Sequence, residues 1–288
     1  MSPIRRVVVI GCGLIGTSVA CALRRAGVRV ELADHDPWAL AQAVRMGGGT
    51  ALRAGEGPAD VVVVATPPSS VAAVLRDAQD RGLGAVYTDV ASAKGRVLAE
   101  AAGNGCDLST YVPGHPMAGR EVSGPGAARA GLFEGRTWAL CPHPALSPRA
   151  LRTVSALAAA CGAEVRLLPP DDHDRAAAAV SHVPHVLAAA LAARFAQGDG
   201  VALAAGSLRD VTRVAGSPPG MWRDILAHNA GPVADLLEEV TRDLERITAA
   251  LRAADDGPVA EVLARGNEGR AHIVRALSRA PGRERAAS

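Results

Sequence analysis

From residue 6 to about residue 168, apolar positions come in short, nearly continuous runs separated by longer segments with helical spacing. The runs 6–10, 61–65 and 85–90 are rich in β-branched residues and too short for helices. They predict strands buried on both faces of a parallel sheet. A further strand is expected over 28–33, ending at Asp34. Helices are expected over 17–26, over 37–46 and through Val74 and Leu75. The second of these opens on Pro37, whose missing N–H costs little at a first helical position. Further on, 137–141 and 164–168 read as strands flanking a helix at about 148–161. Such alternation indicates a sheet covered by helices on both faces.

Past Pro169 and Pro170 the strand runs disappear. Alanine-rich helical patterns take over at 171–197, 201–215, 220–229, 232–254 and 258–278. Pro184 falls inside the first and should kink it unless packing re-satisfies the freed carbonyl. A boundary is therefore expected at residue 169, followed by a helical part over 170–279 and a short, charged, disordered tail over 280–288. Helices this apolar should bury surface against a second chain as well as each other. No run after the N-terminal segment reads as long enough to span a membrane.

Composition narrows the function classes. The net charge of +2 and the scattered arginines leave no nucleic-acid footprint, and aromatics at 2% are too few for base stacking. Lysine is nearly absent. Five cysteines without a CxxC pair point to a reduced, cytoplasmic protein. Arg5 and Arg6 before an apolar stretch mimic a secretory signal, but Arg24 and Arg25 stand where small residues would be needed for cleavage.

The strongest local signal is Gly11-Cys12-Gly13-Leu14-Ile15-Gly16, which follows the first strand and opens a helix. Gly11 permits a tight turn, Gly13 lets backbone approach a pyrophosphate, and Gly16 lets helix and strand pack closely. The N–H groups at Leu14 and Ile15 begin the helix, where its dipole favours a diphosphate. Asp34 lies eighteen residues past Gly16, placed to accept ribose hydroxyls. Thr66, where the 61–65 run ends, completes the expected cofactor residues. Together these predict a nicotinamide dinucleotide site.

Four other clusters carry candidate chemistry. Residues 89–95 contain Ser92 just beyond a sheet strand, where doubly wound folds place ligands, although a serine there also suits a helix N-cap. Residues 114–121 hold His115 in a loop between Gly114 and Pro116. Ser181-His182-Val183-Pro184-His185 places two histidines at i and i+3, with no cysteine or carboxylate at helical spacing to complete a metal site, so none is expected. Arg209 to Ala215, followed by Met221, Trp222, Arg223 and Asp224, sets arginines in an apolar helix. Either a solvated face or a carboxylate site fits that pattern.

In this order the clusters resemble the prephenate/arogenate dehydrogenase family of tyrosine biosynthesis. The resemblance runs from about residue 7 to about residue 254 and rests on GHPMAG, SHVPH and RDVTRVAGSPPGMWRDI taken together. It implies an α/β Rossmann-type N-terminal domain with a mostly parallel sheet, an all-α helical dimerisation domain, NAD as cofactor, and a homodimer. By the same resemblance His115 is the catalytic histidine, and Ser92 orients it and the substrate hydroxyl. His185, Arg213 and Trp222 lie at the substrate, Arg213 on a carboxylate. Gly206 comes from the partner subunit, and Glu121 belongs to the pocket's ionic network. Arg120 departs from the threonine or serine common in the family, and a cation there favours prephenate over the ammonium-bearing arogenate.

Arogenate, or an amino analogue of prephenate in secondary metabolism, stays open as substrate. Two other readings are a reductase of similar architecture and a non-catalytic dinucleotide sensor. The reductases use a lysine in the helical domain, and this chain has no lysine after Lys94. Asp34 also makes a direct prediction, because a carboxylate there repels a ribose 2′-phosphate and His35 and Asp36 supply no arginine to accept one. The ratio of kcat/KM values for NAD+ and NADP+ is expected to favour NAD+; a preference for NADP+ would contradict the reading of Asp34.

Overall fold

The structure, a computed structural model, describes residues 4–119, 122–196 and 199–278. They fall into two compact units that meet between Asn229 and Ala230. The first unit is organised by six strands: β1 (Arg6–Ile10), β2 (Arg29–Ala33), β3 (Thr50–Ala51), β4 (Val61–Val64), β5 (Tyr87–Asp89) and β6 (Tyr111–Val112). All their pairings are parallel, in the order β3-β2-β1-β4-β5-β6. The chain leaves β1 toward β2 on one side and crosses to β4 on the other, so a crevice opens at the carboxyl ends of β1 and β4.

Strand residues alternate between two cores, as the two-residue period of a strand requires. Val7, Val9, Val61 and Val63 pack on α1 (Leu14–Arg25) and on α5 (Pro148–Ala160). Val8 and Val62 face α3 (Pro68–Asp80) and α4 (Gly95–Gly103) with Leu75, Ala101 and Tyr111. All these valines are fully buried, each contributing roughly 1.5–3 kcal/mol. The helix α2 (Pro37–Arg45) starts under an Asp36 cap on the Trp38 N–H, and Ser147 caps α5 in the same way. Two expected strands, now β8 (Thr137–Leu140) and β9 (Glu164–Leu167), do not extend the main sheet. They form a second sheet with β7 (Gly114–Pro116), in which β7 and β8 are antiparallel and β8 and β9 parallel. His115 therefore sits on a short strand rather than in a loop, held by the ladder that pairs it with Ala139.

The helical run after Pro169 differs from the expected single kinked helix. It passes from α6 (Pro170–Ala177) through a π-helical turn over Ala178–His182 into α7 (Val183–Ala192). Pro184 lies in the first turn of α7. The wider π turn just before it accommodates the proline ring, so the run continues. It also corrects the expectation about span length: Pro170–Phe195 is 26 residues of helix with a mean hydropathy of 1.5 over its most apolar stretch. Length and composition alone would let it cross a bilayer, yet His173, Asp174 and His182 within it are buried and hydrogen-bonded inside the first unit. The expected helix over 201–215 is broken, with α8 (Gly206–Thr212) between 3-10 turns. Then α9 (Pro219–His228) closes the first unit, and α10 (Ala230–Ala253) and α11 (Gly257–Ser278) form the second. The expected tail over 280–288 lies outside the described residues.

The contact between α1 and β1 depends on one missing side chain. A Cβ on Gly16 would stand 1.9 Å from the Gly11 carbonyl oxygen and 2.9 Å from the Ala65 Cβ, whereas one on Gly13 meets nothing within 4 Å. Gly16→Ala should therefore lower stability by about 3 kcal/mol through overpacking against rigid backbone, while Gly13→Ala stays near wild type. Urea unfolding of both variants checks this; a wild-type midpoint for Gly16→Ala would refute the packing argument.

Candidate active site

The carboxyl ends of the parallel strands bring the sequence-predicted residues into a row. Asp34 follows β2, the glycine turn follows β1, Thr66 follows β4, Ser92 stands three residues beyond β5, and His115 follows β6 on β7. Gly11 takes φ +106°, and its missing side chain admits the Ala65 carbonyl, at 2.4 Å from an ideal Cβ. The N-terminus of α1 has no side-chain cap and no acidic residue in its first turn, and the space outside Gly13 is open. Asp34 is held by the Cys12 N–H at 2.5 Å and the Asp36 N–H at 2.8 Å, leaving lone pairs on both oxygens. Thr66 Oγ1 is buried with no hydrogen-bond partner among the described residues. Open backbone donors, a fixed carboxylate and an unsatisfied hydroxyl fit a dinucleotide. Burial, and then Asp34, push the Cys12 thiol up to about 12, so it stays protonated beside the turn.

At the other end of the row lies a buried polar cluster. Lys94, the one lysine of the sequence, is fully buried and donates from Nζ to Asp89 Oδ1 and, at 2.7 Å, to the Gly114 carbonyl. Asp89 also accepts from the Tyr111 hydroxyl at 2.6 Å and the Ala91 N–H at 2.7 Å. Burial, with Asp89 alongside, pushes the Tyr111 hydroxyl well above its ordinary range, so it remains a donor. This cluster fixes Gly114, and with it the half-buried His115. His115 Nδ1 lies 2.9 Å from His173 Nε2, and His173 Nδ1 lies 2.8 Å from Asp174 Oδ1. Asp174 in turn accepts the Lys94 N–H and the Gly95 N–H, both at 2.8 Å, and so caps α4 across the chain. Burial first, then His173, Lys94 and His182, hold His115 well below the usual histidine range.

Ser92 is half-buried and makes no hydrogen bond to His115 among the described residues; nor does it cap α4, whose cap position is Lys94. The ring that meets His115 is His173. Both His173 and Asp174 escape sequence reasoning because acids after a proline pair are ordinary helix-start residues. The available signal was a histidine flanked by carboxylates at the head of an otherwise apolar helix.

The SHVPH residues divide between two tasks. His182 Nδ1 meets Asn229 Nδ2 at 3.0 Å, and Asn229 donates to the Asp174 carbonyl at 2.8 Å. Burial brings His182 down to about 4, so it is neutral at physiological pH. The His185 ring stacks on Trp222, with centroids 3.5 Å apart and planes 4° from parallel. Trp222 is carried by α9, which Asp224 ties to Ser69 at the start of α3. His182 Nε2, His185 Nδ1 and Trp222 Nε1 are all buried without a hydrogen-bond partner among the described residues. Orphaned groups normally cost about 1–3 kcal/mol each, so three in one cluster mark a place for a polar ligand. Gly206 opens α8 beside an open groove of about 480 Å³, and Arg213 follows that helix with its side chain exposed. Glu121 and Arg120 lie outside the described residues.

Residues 19–167 match the family model described as "Prephenate dehydrogenase, nucleotide-binding domain", and residues 169–265 match "Prephenate dehydrogenase, dimerization domain". The chain belongs to the prephenate dehydrogenase family. That makes it an oxidoreductase, with a nucleotide-binding α/β domain followed by a helical one. A relative named probable prephenate dehydrogenase NovF, from Streptomyces niveus, is 43% identical over 256 residues, covering 88% of this chain and 70% of that protein. Prephenate dehydrogenase from A. aeolicus, solved with hydroxyphenyl propionate and NAD+, superposes with a TM-score of 0.84 at 25% identity over 94% of this chain and 99% of its own. Synechocystis arogenate dehydrogenase gives 0.76 at 25% identity, covering 93% of this chain and 99% of its own.

The buried Lys94–Asp89 pair makes the prephenate dehydrogenase scaffold of this chain sensitive to one substitution. Lys94→Met keeps the volume but leaves the Asp89 carboxylate buried without its cation, a loss of about 3–5 kcal/mol. Equilibrium denaturation is expected to show that loss. A change under about 1 kcal/mol would mean that the neutral donors around Asp89 suffice.

Proposed function

We propose that the chain is an NAD-dependent prephenate dehydrogenase, converting prephenate to 4-hydroxyphenylpyruvate in tyrosine biosynthesis. The observation that carries this reading is the row along the carboxyl ends of the strands, from a carboxylate placed for a ribose through an open glycine turn to the half-buried His115. Prephenate carries a ring hydroxyl opposite a carbon that bears a carboxylate. Bound NAD+ supplies a hydride acceptor. The Asp34 carboxylate holds the adenosine ribose, and the N-terminus of α1 holds the diphosphate. His115 accepts the hydroxyl proton, which a neutral ring can do and an imidazolium cannot. Ketone formation then lets carbon dioxide leave, driven by aromatisation. Ser92 lies by the substrate hydroxyl, and His185 and Trp222 form one wall. Arg213 and Glu121 supply ionic contacts, and Gly206 is contributed by the partner subunit. Arogenate is the second reading, supported by the likeness to Synechocystis arogenate dehydrogenase. The orphaned His185 and Trp222 nitrogens accommodate polar groups of either substrate.

Absorbance of NADH formed from prephenate and from arogenate tests the reading. NADH formation with prephenate at the higher kcat/KM is expected, and turnover of neither would overturn it. His115→Asn should keep NAD+ binding and lose kcat by about 100- to 10,000-fold, the contribution of a general base. Near-wild-type turnover in the folded variant would remove His115 from the reaction.

We further propose a cytoplasmic homodimer built on the helices after residue 170, with the boundary between the cofactor and dimerising parts at residue 169. The match to a dimerisation-domain model supports this. So do Leu244, Leu251 and Leu263, exposed on α10 and α11, since obligate interfaces resemble a split core. The five cysteines are unpaired, in keeping with a reducing compartment. Light scattering should report a dimer at micromolar concentration; monomer alone would refute it.

A further inference from the structure

The contacts between His115, His173 and Asp174 determine where each ring proton sits. A carboxylate can only accept, and Asp174 Oδ1 stands 2.8 Å from His173 Nδ1, so that nitrogen carries a hydrogen. In a neutral His173 the facing Nε2 is then a bare lone pair. His115 Nδ1, at 2.9 Å from it, must be the donor, which leaves His115 Nε2 as the bare nitrogen. The base is thus turned the right way by two side chains that touch neither substrate nor cofactor in the proposed reaction.

We propose that His173 and Asp174 form a proton relay behind His115, moving the proton taken from substrate onto His173. The proposal rests on the dehydrogenase reading. In the step, the carbinol C–H leaves as hydride to NAD+ and the carbinol O–H proton bonds to His115 Nε2. The Nδ1–H of His115 passes to His173 Nε2, and the carbinol becomes a ketone. Two electrons leave the substrate with the hydride. One proton is taken up by the histidine pair, whose positive charge rests on His173 against the Asp174 carboxylate.

The charges around the pair favour that destination. Lys94, buried at the cap position of α4, disfavours a cation on His115, while its Nζ is paired with Asp89 on β5. From the π turn, His182 disfavours a cation on His115 only once it is itself protonated, and at neutral pH it is uncharged. On α6, Asp174 is held ionised: burial opposes the charge, but the hydrogen bonds from His173, Gly95 and Lys94 outweigh it and keep the carboxyl below its ordinary range. His185, the remaining nearby histidine, stacks on Trp222. A cation is therefore poorly placed on His115 and well placed on His173.

His173→Gln separates relay from positioning, because glutamine can still accept the His115 Nδ1–H but cannot take up a proton. Expected are unchanged NAD+ affinity and thermal unfolding, and a kcat lowered at least about tenfold, as for a weakened base. The acid limb of the kcat/KM profile should move to lower pH, since the proton must then stay on His115, whose cation burial disfavours. A folded variant with wild-type kcat and an unmoved limb would overturn the relay. Ring-nitrogen NMR titration of the wild-type protein, without substrate, gives an independent readout. Proton uptake should appear on His173, with His115 changing from its Nδ1–H to its Nε2–H tautomer as the Nδ1–H passes to His173, whereas a doubly protonated His115 beside a neutral His173 would overturn it. Because that titration needs no turnover, inactivity of the wild-type protein with prephenate and arogenate would sink the dehydrogenase reading separately.

Discussion

The site depends on one carboxylate. Asp174 receives the first two N–H groups of α4 on one side and the His173 ring on the other. The backbone bonds fix where α6 crosses the carboxyl end of the sheet, and the ring bond fixes His173 and through it His115. Taking a carboxylate out of water is costly, and only a saturated set of charge-assisted hydrogen bonds makes the ionised form the stable one. Burial pushes the Asp174 carboxyl up, and the hydrogen bonds from His173, Gly95 and Lys94 bring it below its ordinary range. Removing the charge would loosen a helix cap and the His115 tautomer together.

The two ends of the active site are built by different physics. At the cofactor end, absence of side chains does the work: Gly11 and Gly16 let backbone segments approach to distances a Cβ forbids, and Gly13 leaves room outside the helix. At the His115 end, presence of charge does it, with Lys94, Asp89, Tyr111, His173 and Asp174 all buried and mutually satisfied. The first construction needs only local chain geometry. The second joins residues from β5, β6, β7, α4 and α6, and exists only once the whole first unit has closed.

That difference explains how much could be read from sequence. The glycine turn, Asp34 and the valine strands are local patterns with fixed periods, and the parallel order of the main sheet follows from strands alternating with helices. His115 and His185 stand out in the sequence through their motifs. The short ladder that makes β7 a strand pairs His115 with Ala139 and has no local signature. The His115–His173 contact spans 58 positions and the Asp174 cap on Lys94 spans 80, so no spacing rule reaches them. Lys94 was visible as a lone lysine among arginines, but its partner is known only from the fold. The π turn before Pro184 answers a clash between ring and backbone, which sequence announces as a kink and the structure resolves as a widening.

The most direct test of Asp174 as the common anchor is a comparison of wild type and Asp174→Asn by NMR at neutral pH. The account predicts that the Lys94 and Gly95 amides lose their protection from exchange and that the His115 ring changes from one tautomer to a mixture in the same protein. Altered amides beside an unchanged His115 ring would contradict it, because helix cap and His115 tautomer would then be held independently.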